Sequence, residues 1–328
     1  MRSNTRISFA TTLLAGASLA ACLAGCAPES GFTGTVDRTF TVSGPARLEV
    51  FSGSGDTRIT AGPPGEVRIH ARFRVLAWPW EEPQRKLEVV EASPPFSQSN
   101  DLIRVGNPVW GWNDIVGDYT ITAPPDAQVR ATVGSGNIDV SGVHGPASFV
   151  AGSGNITASA IVDDVHALTG SGQVRLSALQ GQVRIVAGSG NISVDDAKGE
   201  VRARSGSGNI EIKGPSGTVV GEAGSGDIRV TGAAADLRLR TASGNITVDG
   251  NPPDAAYWDI RAASGDVRLR VPSGASLRFY AHTGSGDIDV GVPGVSERQD
   301  ERHEVHAQIG DGKARVEAQT ASGNISLH

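Results

Sequence analysis

Six arginines, Arg184, Arg202, Arg204, Arg238, Arg240 and Arg261, fall on the outward positions of short alternating apolar segments. A guanidinium is planar, permanently charged and carries its donors in a fixed fork, so a row of them can grip carboxylate or phosphate groups two bonds at a time. The chemistry this offers is recognition of an anionic polymer of the cell envelope. A plainer assignment fits the same residues: a solvated face whose charges are met by acids such as Glu222 and Asp259.

Other residue types in the chain could carry chemistry. Trp78, Trp80, Trp110 and Trp112 cluster within 75–118. Their flat rings suit stacking on sugars or contact with a partner, and equally suit plugging the end of a hydrophobic core. Asp266 and Asp287 occupy the same place in successive copies of a repeated phrase. Two such charges about 5 Å apart repel unless hydrated or bridged by a cation. They are the one weak cation candidate; hydration suffices, and no metal or other cofactor is expected.

Catalysis finds little support. A periodic calcium roll needs Asp two residues after its last glycine, where this chain has Ile138, Ile156, Val174 and Ile192. His303-Glu304-Val305-His306 lacks the zinc-helix spacing, and on a strand residues three apart face opposite sides. A polysaccharide-cleaving β-helix requires converging carboxylates. Asp163-Asp164 and Asp195-Asp196 fall at different places in their repeats and do not stack. The sequence reads as that of a non-enzyme.

The elements that must position these side chains come from a repeat. Serines of a Gly-Ser-Gly-polar-aliphatic phrase stand at 135, 153, 171, 189, 207, 225 and 243, always eighteen apart, with further copies at Ser54, Ser264, Ser285 and Ser322. Alanine replaces the first glycine at Ser243, Ser264 and Ser322, and Thr57 replaces the aliphatic residue after Ser54. A fixed period of this kind marks stacked supersecondary units. Within one period Val174, Leu176, Leu179, Val183, Ile185 and Ala187 are apolar at spacings of two on either side of a corner. That is strand alternation, and nothing recurs at the helical period.

The expected fold is therefore all-β: a parallel β-solenoid, or β-helix, of 18-residue coils with two short strands per coil and an N-terminal cap or insertion. Gly-Ser-Gly is the hinge between coils, where glycine permits positive φ and close approach. The next residue is Asn six times, Asp four times and Gln once, a column able to hydrogen-bond upward as an amide ladder.

Several details follow. Leu87-Val89 and Leu102-Ile103-Val105 are candidate paired strands inside the insertion, and 296–303 (SERQDERH) reads as a charged loop. Val305-Ala307-Ile309, Gly310 to Lys313 and Val316-Ala318 read as strand, turn, strand.

The N-terminus reads as a targeting segment. Arg2 and Arg6 precede an apolar run from about Ser8 to Leu23 that closes on Leu23-Ala24-Gly25-Cys26, too short to be a permanent helical anchor. Residues 1–25 are expected to be a lipoprotein signal peptide, with Cys26 the lipidated residue. Residues 26–44 are then anchor, linker and first strand, 45–134 N-terminal coils carrying the Trp-rich insertion (75–118), and 135–328 the regular repeats. Cleavage removes two arginines and no acids, moving the net charge from −6 to −8, a balance that argues against nucleic acid as a partner. It also discards Cys22, leaving no pair of cysteines for a disulfide. The expected partners are a membrane, through the lipid, and an envelope polymer or surface protein.

The serial Ser-Gly-[Asn/Asp]-[Ile/Val] phrases, such as Ser243-Gly244-Asn245-Ile246-Thr247-Val248, carry a resemblance over roughly 45–328. So do the lead-ins Val271-Pro272-Ser273-Gly274-Ala275-Ser276-Leu277 and Ala123-Pro124-Pro125-Asp126-Ala127-Gln128-Val129. The chain resembles the bacterial β-strand-repeat proteins of domain of unknown function 4097, often labelled adhesins. The resemblance implies a β-solenoid at the cell envelope and supplies no catalytic residue.

Overall fold

The structure, a computed structural model, describes residues 32–75, 82–106, 115–301 and 303–328. Residues 1–25, expected to be a leader, Cys26 and the four clustered tryptophans lie outside the described residues. What is described is almost entirely β-strand, with one helix, Pro83–Ala92.

From Ile115–Ala123 to Ile288–Val290 the strands alternate along the chain between two sheets, which in all have fourteen and fifteen described strands. Val174–Leu179 lies in the first sheet and Val183–Ala187 in the second. The period appears directly as register: Val174 pairs in parallel with Ile192, and Val183 with Val201, each eighteen residues on. Inward residues alternate with exposed ones, so Val183, Ile185 and Ala187 are buried while Arg184 and Val186 face out. The buried sides of both sheets share one hydrophobic core, in which Trp258, Phe149, Phe279 and Phe73 are the largest enclosed side chains. Trp258 Nε1 donates to the Ala235 carbonyl at 2.8 Å, which satisfies its polar edge.

The Gly-Ser-Gly corner keeps its backbone paired. The N–H groups of Ser171 and Ser189 donate to the carbonyls of Gly152 and Gly170, one repeat back, at 3.2 and 3.0 Å. Both glycine properties are used, at different copies. Gly265 has φ 140°, whereas at Gly190 the need is space, since a Cβ there would stand 1.7 Å from the Gly172 carbonyl oxygen.

The opposite corner is left-handed in six successive repeats. Gly142, Gly214 and Gly232 occupy it at φ 75°, 58° and 74°, but Ala160, Ala178 and Asp196 occupy it at φ 54°, 53° and 54°. A left-handed L-residue costs about 1–2 kcal/mol, against about 0.5–1 kcal/mol of chain entropy for glycine. The Ala160 and Ala178 methyls are exposed and pack on nothing that would be lost. Ala160→Gly and Ala178→Gly are each expected to stabilise by about 0.5–1 kcal/mol, read as a rise in urea midpoint at unchanged m. A fall in midpoint for both would refute the strain.

The polar column forms a ladder of a different kind from stacked amides. A side-chain Oδ1 accepts the backbone N–H of its counterpart in the next repeat. Asn209 N–H reaches Asn191 Oδ1, Asp227 N–H reaches Asn209 Oδ1 and Asn245 N–H reaches Asp227 Oδ1, at 2.9, 2.9 and 2.7 Å. Only the oxygen is needed, which is why Asn and Asp interchange. Gln173 is one methylene longer, and its Oε1 accepts from Arg175 of the same strand instead.

The ends depart from the sequence reading. Leu87-Val89 is helix, not strand. Proline opens it, strong helix formers fill it, and Leu87 and Val90, three apart, turn one face against the strands Phe32–Thr41 and Glu66–Val75. Leu102–Val105 pairs with Phe96–Ser99 as an antiparallel hairpin. Phe73 and Phe96 meet the Tyr119 ring edge-on, and burial with Asp118 nearby pushes the Tyr119 hydroxyl up to about 12. Ser54 pairs directly with Ser135, so the chain leaves and returns between adjacent copies.

At the other end, residues expected in a charged loop form the edge strand Val295–Glu301, antiparallel to Glu304–Ile309. Charge on an edge strand deters further pairing. The expected strand-turn-strand is present as Glu304–Ile309 and Ala314–Ser322. The stack, however, does not follow chain order. Ala314–Ser322 lies between Tyr257–Ser264 and Leu277–Ser285, and Ile325–Leu327 between Val267–Arg270 and Ile288–Val290.

Candidate functional site

The outer face of the second sheet carries all six arginines. Because the strands are parallel and in register, Arg184 adjoins Arg202, and Arg240 adjoins Arg261, on neighbouring strands. Val220 stands between Arg202 and Arg238, and Glu222 between Arg204 and Arg240. Arg184, Arg202, Arg204, Arg238 and Arg240 line a depression of about 610 Å³ that ends at Tyr257.

The acids named from sequence are present, and their depth sets the sign of the surface. Arg204 Nε meets Glu222 Oε2 at 2.9 Å, and Arg202 meets Glu200 of its own coil at 2.8 Å. Asp259 receives three guanidiniums, from Arg261 at 2.8 Å, Arg240 at 3.4 Å and Arg238 at 4.0 Å. The Arg261 contact is close without an aligned N–H, so Asp259 Oδ1 keeps an unused acceptor. The Asp259 side chain is only 5% exposed, against 56% for Arg238. One buried carboxylate thus holds three cations in place and leaves their outer edges toward solvent. Among the described residues, no acid forms an ion pair with Arg184.

Asp266 and Asp287 do not adjoin, which corrects the paired-charge expectation. Asn324, from the strand threaded between their coils, separates them: its N–H donates to Asp266 Oδ1 and its Oδ1 accepts the Asp287 N–H, both at 2.9 Å. Asp266 also pairs with Arg268 at 2.5 Å. The repulsion that would have called for a cation is absent by construction.

The acid pairs Asp163-Asp164 and Asp195-Asp196 do not converge. Asp164 Oδ1 accepts the Gln182 N–H at 2.8 Å in a corner ladder, and Asp195 lies 4.0 Å from Lys213 on the first sheet. His306 Nε2 contacts Glu304 Oε1 at 2.6 Å, and that contact draws the Glu304 carboxyl below its usual range. Among the described residues no group of three or more His, Cys, Asp or Glu could hold a metal ion.

Sequence reasoning missed the continuation of the basic face. Tyr257, Arg315 and Arg278 sit on three neighbouring strands, in register, beyond Arg261. Their outward alternation was legible in the sequence; their adjacency depends on the threaded strand. Burial, together with a hydrogen bond to Glu317, pushes the Tyr257 hydroxyl above its ordinary value.

Comparison with known proteins adds the following. The model of the Toastrack family, DUF4097, matches residues 117–328. Two solved structures are similar. A candidate cell adhesion protein from Clostridium sporogenes is 13% identical, with 90% of this chain and 99% of that chain covered and a TM-score of 0.26. A candidate adhesin from Bacteroides fragilis is 12% identical, with 90% and 97% covered and a TM-score of 0.40. No curated protein matches. The family match spans more than half of the chain, which therefore belongs to the Toastrack family DUF4097.

Proposed function

We propose that the chain is a lipid-anchored interaction element of a bacterial cell envelope. In this reading the two sheets close into a β-solenoid of 18-residue coils, Cys26 carries the lipid, and the outer face of the second sheet holds an anionic envelope polymer. The observation that carries the reading is the layering around Asp259: a carboxylate buried below three outward guanidiniums. A stack of parallel strands also repeats its charges at a fixed interval of about 4.8 Å, as a regular polymer does. A diacylglycerol group on Cys26, at about 0.8 kcal/mol per buried methylene, would keep the protein on its membrane. No helix among the described residues is long and apolar enough to cross one.

A second reading has an observation of its own. Val150, Leu168 and Val186 stand side by side on successive strands of the same face, and Leu168 and Val186 are exposed. An apolar row beside cations suits a protein partner with an acidic, partly apolar surface.

The test is co-sedimentation of the protein with isolated envelope polymers at low and high salt. Binding is expected at low salt, to weaken as salt screens it, and to fall about tenfold or more when Arg202, Arg204, Arg238 and Arg240 become serine. Cell fractions from the same preparations report the anchor, because Cys26→Ser is expected to move the protein from the membrane to the soluble fraction. Absence of polymer binding at every salt concentration would overturn the polymer reading and leave the protein partner.

A further inference from the structure

The basic tract does not stop at Arg261. Past Tyr257–Ser264 the second sheet continues with Ala314–Ser322 and then Leu277–Ser285, which brings Arg315 beside Tyr257 and Arg278 beside Arg315. The layering seen at Asp259 recurs here. Glu317 is bonded by the Tyr257 hydroxyl at 2.8 Å and paired with Arg315. Its side chain is 10% exposed against 71% for Arg315. The Arg315 guanidinium lies 5.7 Å from the Tyr257 ring centre. Next comes a second depression, of about 760 Å³, lined by Arg278, Tyr280, His306, Lys313 and Arg315. In it the Tyr280 and His306 rings meet edge-on at 4.7 Å. Among the described residues, no acid forms an ion pair with Arg184 at one end of the tract or with Arg278 at the other.

We propose that the two depressions form one elongated site for a chain of acidic sugars. Its guanidiniums take the carboxylate or phosphate groups, and Tyr257 and Tyr280 lie against sugar rings. This deepens the polymer-binding reading and rests on it. From Arg184 to Arg278 the tract crosses seven neighbouring strands, a length of about 29 Å at about 4.8 Å per step. Three features favour a glycan. Aromatic rings stand among the cations, as sugar faces require and bare polyanions do not. Depressions admit a chain, whereas a membrane surface meets a flat face. The chain's net charge of −6 disfavours nucleic acid.

The experiment measures binding of the full chain, in detergent micelles, to labelled oligogalacturonates, short (about three residues) and long (about twelve). The long probe is expected to bind at least about tenfold tighter than the short one, because only it engages both depressions. Arg184→Ser, Arg278→Ser and Tyr280→Ala are each expected to weaken the long probe about threefold to tenfold, with unchanged thermal melting. If Arg184→Ser weakens binding while Arg278→Ser and Tyr280→Ala do not, the extended site is overturned and the first groove survives. If neither probe binds at low salt, both readings fall. Equal competition by polyglutamate, or by phosphatidylglycerol vesicles, overturns the assignment to a glycan.

Discussion

Gly190→Ala is expected to destabilise the protein by about 3 kcal/mol or more, while Gly53→Ala, in the same phrase, changes stability by no more than about 0.5 kcal/mol. The two positions share a motif and differ in what lies beside them. A Cβ on Gly190 would stand 1.7 Å from the Gly172 carbonyl oxygen and 2.6 Å from its carbon. Those are backbone atoms of a ladder, so they cannot swing aside as a flexible side chain would. Relief requires the two coils to separate, stretching the bonds on either side of the corner. A Cβ on Gly53 meets nothing within 4 Å, and Gly53 is exposed. Neither glycine has the left-handed φ that would by itself penalise alanine. Urea unfolding of the two variants, with hydrogen exchange along 172–192, gives the comparison. Equal effects would mean that the corner tolerates separation and that the phrase recurs for some other reason.

That contrast shows how far the sequence could be read. The period of eighteen, the inward positions Val174, Leu176, Val183 and Ile185, and the turn at Gly-Ser-Gly depend on neighbours along the chain, and all were legible. Depth was not. Asp259 and Arg261 alternate as any two polar residues of a strand do, yet one is enclosed and the other outward, because Arg261 of the same strand and Arg238 and Arg240 of the neighbouring strand gather above Asp259. The helix Pro83–Ala92 was obscured for a different reason. Its two inward residues are too few to establish a period, and it forms against the strands Phe32–Thr41 and Glu66–Val75. The Asn/Asp column was recognised as a ladder, but composition alone could not reveal that the rungs are backbone N–H groups.

Removing residues 304–328 is expected to unfold the segment 275–301 and leave the coils before Arg270 folded. The physical reason lies in the order of the stack. In chain order Leu277–Ser285 would follow Tyr257–Ser264 directly, and it carries the same phrase. Instead Ala314–Ser322 separates them, placing Val316 between Trp258 and Phe279, and Ala318 between Ile260 and Ala281. A thin layer of small residues thus spaces two of the largest enclosed side chains of the core. If Leu277–Ser285 moved over to fill the gap, Phe279 would fall beside Trp258 where Val316 now sits. Overpacking of that kind costs about 1–3 kcal/mol per site.

The truncated chain therefore cannot simply close up. Leu277–Ser285 loses both of its neighbours in the second sheet, Ala314–Ser322 and Glu304–Ile309, whereas Tyr257–Ser264 loses one and keeps Leu237–Ser243. Val316, Ile325, Leu327 and Ile309 are each almost wholly buried, and their contribution at about 1.5–3 kcal/mol apiece disappears. In a repeat protein each unit is stabilised by its immediate neighbours, so the loss stays local. Hydrogen exchange on the truncated chain should show protection erased across 277–290 and retained across 138–250. Protection persisting at 277–290 would mean that the strand had re-paired beside Tyr257–Ser264, and that the spacing of Trp258 from Phe279 is not what holds the threaded order.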